Sequence, residues 1–166
     1  MNHEAPVLDK PSGEPVSILF VCHGNICRST MAEFVMRDMA SKRGSDGRVS
    51  VASAATRNDE IGNDTHWGTK RVLDEHGIPY TKRRARRIRP QDYEDFDLII
   101  GMDKENLRDL MRFFHDDPEG KVSLLLDWTG IHRNVADPWY TGDFDVTYED
   151  VTRGCDALLN AIEDSS

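Results

Sequence analysis

Residues 16–29 read VSILFVCHGNICRS, and this segment is the strongest indication of the fold. Its first seven residues form an apolar run rich in branched and aromatic side chains, which is typical of a strand buried on both faces of a parallel sheet. The next seven are turn-forming. From Ser29 onward the pattern predicts a helix that ends before Gly44, with the Ser29 hydroxyl capping its first turn.

Strands and helices alternate along the rest of the chain. Further strands are predicted at residues 48–54, 96–102 and 121–128, and helices at residues 67–76 and 104–114, followed by a last helix with an apolar stripe from Tyr148 to Ile162. Because strands that alternate with helices are joined by right-handed crossovers, residues 15–166 are predicted to form a single α/β domain. We expect a parallel sheet of about four strands with helices on both faces.

Composition narrows the class of protein. The chain has 166 residues, 21 Lys and Arg against 30 Asp and Glu, and a formal net charge of −9, which argues against a nucleic-acid partner. No apolar run reaches the roughly 18 residues that span a bilayer. Residues 1–14 contain prolines and a Ser-Gly pair, lack the apolar core of a secretory signal, and predict a flexible N-terminal tail. Three cysteines are too few for a disulfide scaffold. Because the sequence also shows no bilayer-spanning run and no secretory signal, we expect a cytoplasmic protein without membrane insertion.

The loop after the first predicted strand carries a chemical signature. Cys22 and Arg28 lie six positions apart, at the carboxyl end of a strand and the start of a helix, where ligands of open α/β sheets bind. Successive backbone N–H groups and the helix N-terminus form an anion cradle, and a guanidinium can bind two oxygens of one anion. The same positive field favours a nucleophilic thiolate at Cys22. The sequence therefore predicts a phosphate-binding loop.

Two further loop residues suit this geometry. Gly24 lets the backbone approach an anion or adopt a positive φ. Asn25 tolerates a left-handed conformation, and its amide can tie the loop to the rest of the domain. A cysteine after a buried strand is more often a core residue, but eight contiguous residues with matching roles favour the functional interpretation.

The stretch V-C-x-G-N-I-C-R-S at residues 21–29 closely resembles the active-site loop of the low-molecular-weight protein tyrosine phosphatases. Other segments resemble the same family in the same order: SAAT at 53–56, EIGN at 60–63, HGIP at 76–79, ARRI at 85–88, FDLIIGMD at 96–103 and ADPWY at 136–140. The resemblance implies a phosphotyrosine-protein phosphatase that needs no cofactor. Its expected partners are phosphotyrosine-containing proteins, and phosphate or other oxyanions in the loop.

The resemblance also implies the role of each site residue. Cys22 would attack phosphorus to form a phosphocysteine, Arg28 would hold the phosphate oxygens, and Asp137 would act as general acid and then as general base. Substrate-binding roles are implied for His23, Gly24, Asn25, Ile26, Cys27, Ser29, Trp139 and Tyr140. The histidines and cysteines lack the spacing of metal ligands, so no metal site is expected.

Some positions raise separate expectations. Cys27 either packs the loop or, as the resemblance implies, forms a reversible disulfide with the nucleophile, whereas Cys155 on the apolar stripe is expected in the core. Asp59 falls where the family usually has an aromatic residue, and Arg83 lies near a position that is often histidine. The basic stretch 82–89 either steers anionic substrates or is a solvated connection paired with carboxylates.

Three alternative functions are considered, of which the two enzymatic ones have the same fold. Arsenate reductases use the same loop but need a relay pair of cysteines in the middle of the chain, and none occurs between Cys27 and Cys155. Phosphoarginine phosphatases carry threonine where this chain has Ile26. A catalytically silent phosphoprotein-binding module would be expected to lack Cys22, Arg28 or Asp137, and the chain has all three.

Overall fold

The computed structural model describes residues 5–8 and 14–165. Its strands are β1 (Val16–Cys22), β2 (Val49–Ala55), β3 (Leu98–Gly101) and β4 (Val122–Leu124). Its helices are α1 (Arg28–Lys42), α2 (Trp67–Glu75), α3 (Asp92–Asp95), α4 (Lys104–Phe113), α5 (Pro138–Thr141) and α6 (Phe144–Asp164). Short 3₁₀ turns span Asp46–Arg48 and Leu125–Thr129. Among the described residues, no helix combines the length and apolar character needed to cross a membrane.

The four strands form one parallel sheet in the order β2-β1-β3-β4. In the register, Cys22 lies opposite Ala55 of β2, and Val21 lies opposite Gly101 of β3. The carboxyl ends of the three strands therefore meet at one edge of the sheet, and the loop after β1 emerges at its centre. The predicted four-stranded α/β fold is confirmed.

Apolar side chains bury both faces of the central strand. Ile18 and Phe20 of β1 belong to a core cluster with residues of α1 and α6. The alternate residues Leu19 and Val21 point to the opposite face, where their cluster includes Leu110 of α4. Helices therefore cover both faces, as expected from the continuous apolar run of β1.

The fourth strand is shorter than the predicted segment 121–128. β4 ends at Leu124, and the chain turns into a 3₁₀ helix in which Leu125 is fully buried against Gly154 of α6. The Asp127 side chain accepts a hydrogen bond from the Leu124 N–H at 2.8 Å and so closes this turn. An apolar run alone does not show where a strand gives way to a turn, because both bury the same side chains.

The predicted cap of the first helix is wrong. Helix α1 begins at Arg28, its N-cap is Cys27, and no side chain caps it. Ser29 is fully buried inside the first turn, and its hydroxyl faces Cys22 instead. Part of the predicted tail, residues 1–4 and 9–13, lies outside the described residues, while Leu8 packs against the larger core cluster.

Candidate active site

Cys22 ends β1 beneath the loop that leads into α1. Its side chain is buried, with Sγ 3.0 Å from the Ser29 hydroxyl and 3.3 Å from the Asn25 backbone N–H, which donates to it. Asn25 has a φ of 60°, a left-handed conformation in which asparagine is enriched. This backbone turn directs an N–H at the sulfur, and hydrogen-bond donors of this kind stabilise a thiolate.

Arg28 is held in one position behind the loop. One of its guanidinium nitrogens donates to Asp103 at 2.8 Å and to the Val135 carbonyl at 3.3 Å, and the other donates to Asp137 at 3.3 Å. Burial opposes the charge of Arg28, but the negative charges of Cys22, Asp103 and Asp137 raise its pKa above the ordinary value. Arg28 therefore remains a cation although its side chain is buried.

Asp103 belongs to the site, although the sequence analysis assigned no role to it. It follows β3 and caps α4: its other carboxylate oxygen accepts the Asn106 N–H at 2.8 Å, and the Asn106 side chain accepts the Asp103 N–H at 3.2 Å. This reciprocal pairing locks the carboxylate that holds Arg28. Its signal was present in the sequence, because Asp and Asn three residues apart, after a strand and before an amphipathic helix, form a capping pattern.

Asp137 lies across the cleft from Cys22 at the start of α5. One carboxylate oxygen accepts the Trp139 N–H at 3.0 Å, and the other faces Arg28. Pro138 occupies the first position of α5, where its fixed φ suits the helix. The cap and the arginine together fix the direction of the carboxylate.

A cleft of about 300 Å³ opens above Cys22 and Arg28. It is lined by Cys22, His23, Gly24, Ile26, Cys27, Arg28, Asp59, Glu60, Asp103, Glu105, Asn106, Asp137, Trp139 and Tyr140. The cleft thus brings together most of the residues that the sequence suggested for the site. The side chains of Asn25 and Ser29 are the exception, since both are fully buried: the Asn25 amide donates to the Ser29 hydroxyl, which faces Cys22.

The mouth of the cleft is acidic. His23 contacts Asp59 at 2.6 Å through Nε2 and lies 3.6 Å from Glu105 through Nδ1. Glu60 lines the same side, and the Cβ that Gly24 lacks would meet Glu60 Cγ at 3.1 Å. A side chain larger than hydrogen would press on Glu60, so Gly24 serves close approach. Gly24 itself does not have a positive φ; the left-handed residue of the loop is its neighbour Asn25.

Two aromatic side chains also line the cleft and form an aromatic wall. Trp139 and Tyr140 are 65% and 89% exposed, so both offer ring surface to a ligand in the cleft. The Trp139 ring meets His66 edge to face at 5.7 Å, and His66 stacks on Phe144 at 5.2 Å. This packing supports the wall from behind.

Asn25 ties the loop to the domain, as the sequence suggested. Its side-chain N–H donates to the Ser29 hydroxyl at 2.8 Å. Arg83 donates to the Asn25 backbone carbonyl at 2.9 Å and also to its side-chain oxygen, which accepts the Arg86 N–H at 3.3 Å as well. Arg83 is in turn fixed by Asp64, which accepts its backbone N–H at 3.1 Å. The departure from the family at position 83 thus supports the loop.

The rest of the basic stretch is divided between structural contacts. Arg86 makes two hydrogen bonds to the fully buried Asp92, and Arg87 donates to the Thr56 carbonyl at 3.1 Å. Pairing with carboxylates therefore accounts for part of this stretch, in line with the interpretation as a connection.

The three cysteines are free thiols. Cys27 is buried on the cleft side of the loop, where burial and the negative charges of Cys22 and Asp137 raise its pKa well above the usual range. Cys155 is fully buried on α6, which confirms its place in the core. Among residues 5–8 and 14–165, no group of histidine, cysteine and acidic side chains could hold a metal ion.

A thiol at the end of a parallel strand, an arginine at the following helix N-terminus and a facing carboxylate are typical of enzymes that attack phosphate esters through cysteine. Residues 17–166 match the family described as low molecular weight phosphotyrosine protein phosphatase, and the chain belongs to this family. It is therefore a protein-tyrosine-phosphatase that acts on phosphoproteins.

Three comparisons illustrate the relationship. The chain is 40% identical over 150 residues to the low molecular weight protein-tyrosine-phosphatase YfkJ of Bacillus subtilis, covering 89% of this chain and 96% of YfkJ. The crystal structure of YfkJ superposes with a TM-score of 0.88 at 39% identity, over 93% of this chain and 99% of that one. A Drosophila arginine phosphatase has a TM-score of 0.79 at 29% identity, over 86% and 95% of the two chains.

Proposed function

We propose that the phosphatase reaction proceeds through a phosphocysteine on Cys22. The Cys22 thiolate attacks phosphorus while Arg28 and the loop N–H groups bind the equatorial oxygens. Asp137 gives its proton to the leaving phenolate oxygen, so that the sulfur–phosphorus bond forms as the phosphorus–oxygen bond breaks. In the second step Asp137 accepts a proton from water, which attacks phosphorus and releases phosphate and the Cys22 thiolate.

The Cys22–Ser29 contact supports the second step in particular. The hydroxyl lies 3.0 Å from Sγ and is positioned by Asn25, so it can donate to sulfur as negative charge returns to it. A group already aimed at the developing charge costs no reorganisation during the reaction.

One observation carries the proposal. Arg28 forms ion pairs with both Asp103 and Asp137 at the base of the cleft that Cys22 lines. The guanidinium that binds the anion therefore also fixes the position of the carboxyl group that donates the proton. An arsenate reductase would in addition need a relay pair of cysteines, and none occurs between Cys27 and Cys155.

The test is hydrolysis of p-nitrophenyl phosphate and of a phosphotyrosine peptide. We expect Cys22→Ser and Arg28→Ala to lose essentially all turnover and Cys27→Ser to retain it, because Cys27 is a protonated thiol beside the nucleophile. Turnover should persist in a metal chelator. Activity of Cys22→Ser equal to that of wild type would overturn the mechanism, because the site cannot ionise a serine hydroxyl.

Phosphotyrosine is favoured over phosphoarginine by the wall of the cleft. Ile26 is buried among Cys27, Ala85 and Phe144 and presents an apolar edge beside the loop. A protein called an arginine phosphatase shares the fold, so the two substrates should be compared directly. We expect the phosphotyrosine peptide to be the better substrate and Ile26→Thr to reduce its advantage.

The cytoplasm is the compartment that suits this chemistry. A thiolate nucleophile beside a second cysteine works only while both are reduced, and cytosolic reductants maintain that state. The proposed occupants of the loop are the phosphate of the substrate, the phosphate product and similar oxyanions.

A further inference from the structure

A second pocket, with a volume of about 190 Å³, lies between the end of β2 and helix α4. It is lined by Thr56, Arg57, Arg87, Ile88, Asp109, Arg112 and Phe113. Three arginines face one aspartate there, although the chain as a whole carries a net charge of −9. The reaction proposed above uses none of these residues.

Two of the three arginines, Arg87 and Arg112, have guanidinium N–H groups that can donate hydrogen bonds to a ligand. Arg57 is held by two hydrogen bonds of 3.1 Å to Asp109. Arg87 donates through Nε to the Thr56 carbonyl and lies over the Phe113 ring at 5.8 Å, which leaves its terminal nitrogens without partners among the described residues. Arg112 forms no ion pair or hydrogen bond with any described residue. Because arginine presents a planar fork of donors, such a pair suits an anion with two or more oxygens.

One of the residues that line the pocket has a polar group without a hydrogen-bond partner among the described residues. Thr56 is 3% exposed, and its hydroxyl makes no hydrogen bond within the described part of the chain. Buried hydroxyls are normally paired, and an exception calls for a ligand or another compensating feature.

This basic pocket adjoins the active-site loop. The Thr56 and Arg57 N–H groups donate to the carbonyls of Cys22 and His23, at 3.0 and 3.1 Å. Glu105, at the mouth of the catalytic cleft, and Arg112 lie on the same helix seven residues apart, which is about 10 Å along its axis. An extended peptide advances about 3.3 Å per residue, so three residues cover this distance.

We propose that the basic pocket is a specificity site that binds the carboxylate of an acidic residue about three positions from the phosphotyrosine of the substrate. The proposal rests on the phosphatase function of the catalytic cleft. Arg87 and Arg112 bind the anion, and Arg57, neutralised by Asp109, shapes the side nearer the loop.

The test compares phosphotyrosine peptides that carry Glu or Ala three residues before, or three residues after, the phosphotyrosine. In one of the two pairs, wild type should show a kcat/KM about 1.5- to fivefold higher for the Glu peptide, because KM is lower; this is the range for exposed charge pairs. The double variant Arg87→Gln/Arg112→Gln should lose this preference. The charge-matched control Arg84→Gln/Arg108→Gln, in which neither residue lines a cleft, should keep it.

Hydrolysis of p-nitrophenyl phosphate separates the two proposals, because this substrate is too small to reach the basic pocket and all variants should hydrolyse it like wild type. If wild type fails to hydrolyse it, the proposed function falls. If wild type hydrolyses it but treats Glu and Ala peptides alike in both pairs, the basic pocket is not a specificity site. Equal loss of the preference in the control variant would also overturn the proposal, since it would assign the effect to overall charge.

Discussion

Arg83 holds the backbone carbonyl and the side-chain oxygen of Asn25 at the same time. Asn25 is the loop residue with a φ of 60°, and its N–H points at the sulfur of Cys22. A side chain 58 residues away in sequence thus stabilises the left-handed turn that aims the loop at the nucleophile. Arg83 is a positioning residue, because it acts on Cys22 only through Asn25.

Replacing Arg83 should therefore reduce catalysis more than binding. Arg83→Gln leaves the buried backbone carbonyl of Asn25 without its donor, and its side-chain oxygen with only the Arg86 N–H, a cost of about 1–3 kcal/mol in the free energy of unfolding. We expect kcat for p-nitrophenyl phosphate to fall about 10- to 100-fold with KM changed less, since small misplacements of reacting groups cost up to about 10²-fold.

The neighbouring Arg84→Gln provides a matched control, because Arg84 is exposed and lines neither cleft. Steady-state kinetics together with thermal unfolding separate a positioning effect from loss of folded protein. If Arg83→Gln has the same kcat as Arg84→Gln, the contact with Asn25 does not position the loop.

Asp137→Asn should expose the role of the general acid. The amide oxygen can still accept the Trp139 N–H, so the cap of α5 is retained while the transferable proton is lost. General acid catalysis contributes about 10²–10⁴-fold, and we expect a loss of that size on phosphotyrosine. The loss should be much smaller on p-nitrophenyl phosphate, whose leaving group needs no proton. A uniform loss across a series of leaving groups would mean that Asp137 only orients Arg28 and α5.

Mild peroxide should inactivate the enzyme reversibly through Cys22 and Cys27. Peroxide oxidises the Cys22 thiolate to a sulfenic acid, and the Cys27 thiol then displaces water to form a disulfide, which a dithiol reductant reverses. Burial raises the pKa of Cys27, so Cys27 is the protonated partner and Cys22 the one that is oxidised first.

Mass mapping of the oxidised protein should find the Cys22–Cys27 bond, and recovery of activity after reduction should be lower in Cys27→Ser. Cys155 is fully buried on α6. A bond between Cys22 and Cys155 instead of Cys27 would refute the proposed pairing.

Asp59→Trp should lower KM for aryl phosphates with little change in kcat. Asp59 is an exposed carboxylate at the mouth of the cleft, bound to His23, where an aromatic ring would stack on the substrate instead. Stacking contributes roughly 0.5–1.5 kcal/mol, equivalent to a several-fold change in KM, and it is uniform binding that leaves kcat unaltered.

Asn58→Trp is the control for this change, because Asn58 is exposed next to Asp59 but does not line the cleft.

The acidic mouth further predicts that a basic residue next to phosphotyrosine lowers KM, and that Asp59→Trp weakens this preference. An unchanged KM in Asp59→Trp would mean that Trp139 and Tyr140 alone form the wall.

Much of the site was predictable because its chemistry is local in sequence. Cys22, Arg28 and the loop between them occupy seven consecutive residues, and a strand followed by a helix places such a loop at the carboxyl edge of a sheet. The alternation of apolar runs and amphipathic stretches determined the order of strands and helices, since burial on a sheet or against a helix follows directly from periodicity. The ends of β3 and β4 were less predictable, because backbone pairing depends on neighbouring strands.

The distant residues that support the loop are brought to it by the tertiary structure alone. Asp103 holds Arg28, Arg83 holds Asn25, and Arg87 and Arg112 converge beside β2, although these residues lie far apart in the chain. Their contacts depend on strand order and register, which bring the ends of β1, β2 and β3 to one edge of the sheet. A charged residue carries no local signal of its partner, because Coulomb attraction and hydrogen bonding act through space and not along the sequence.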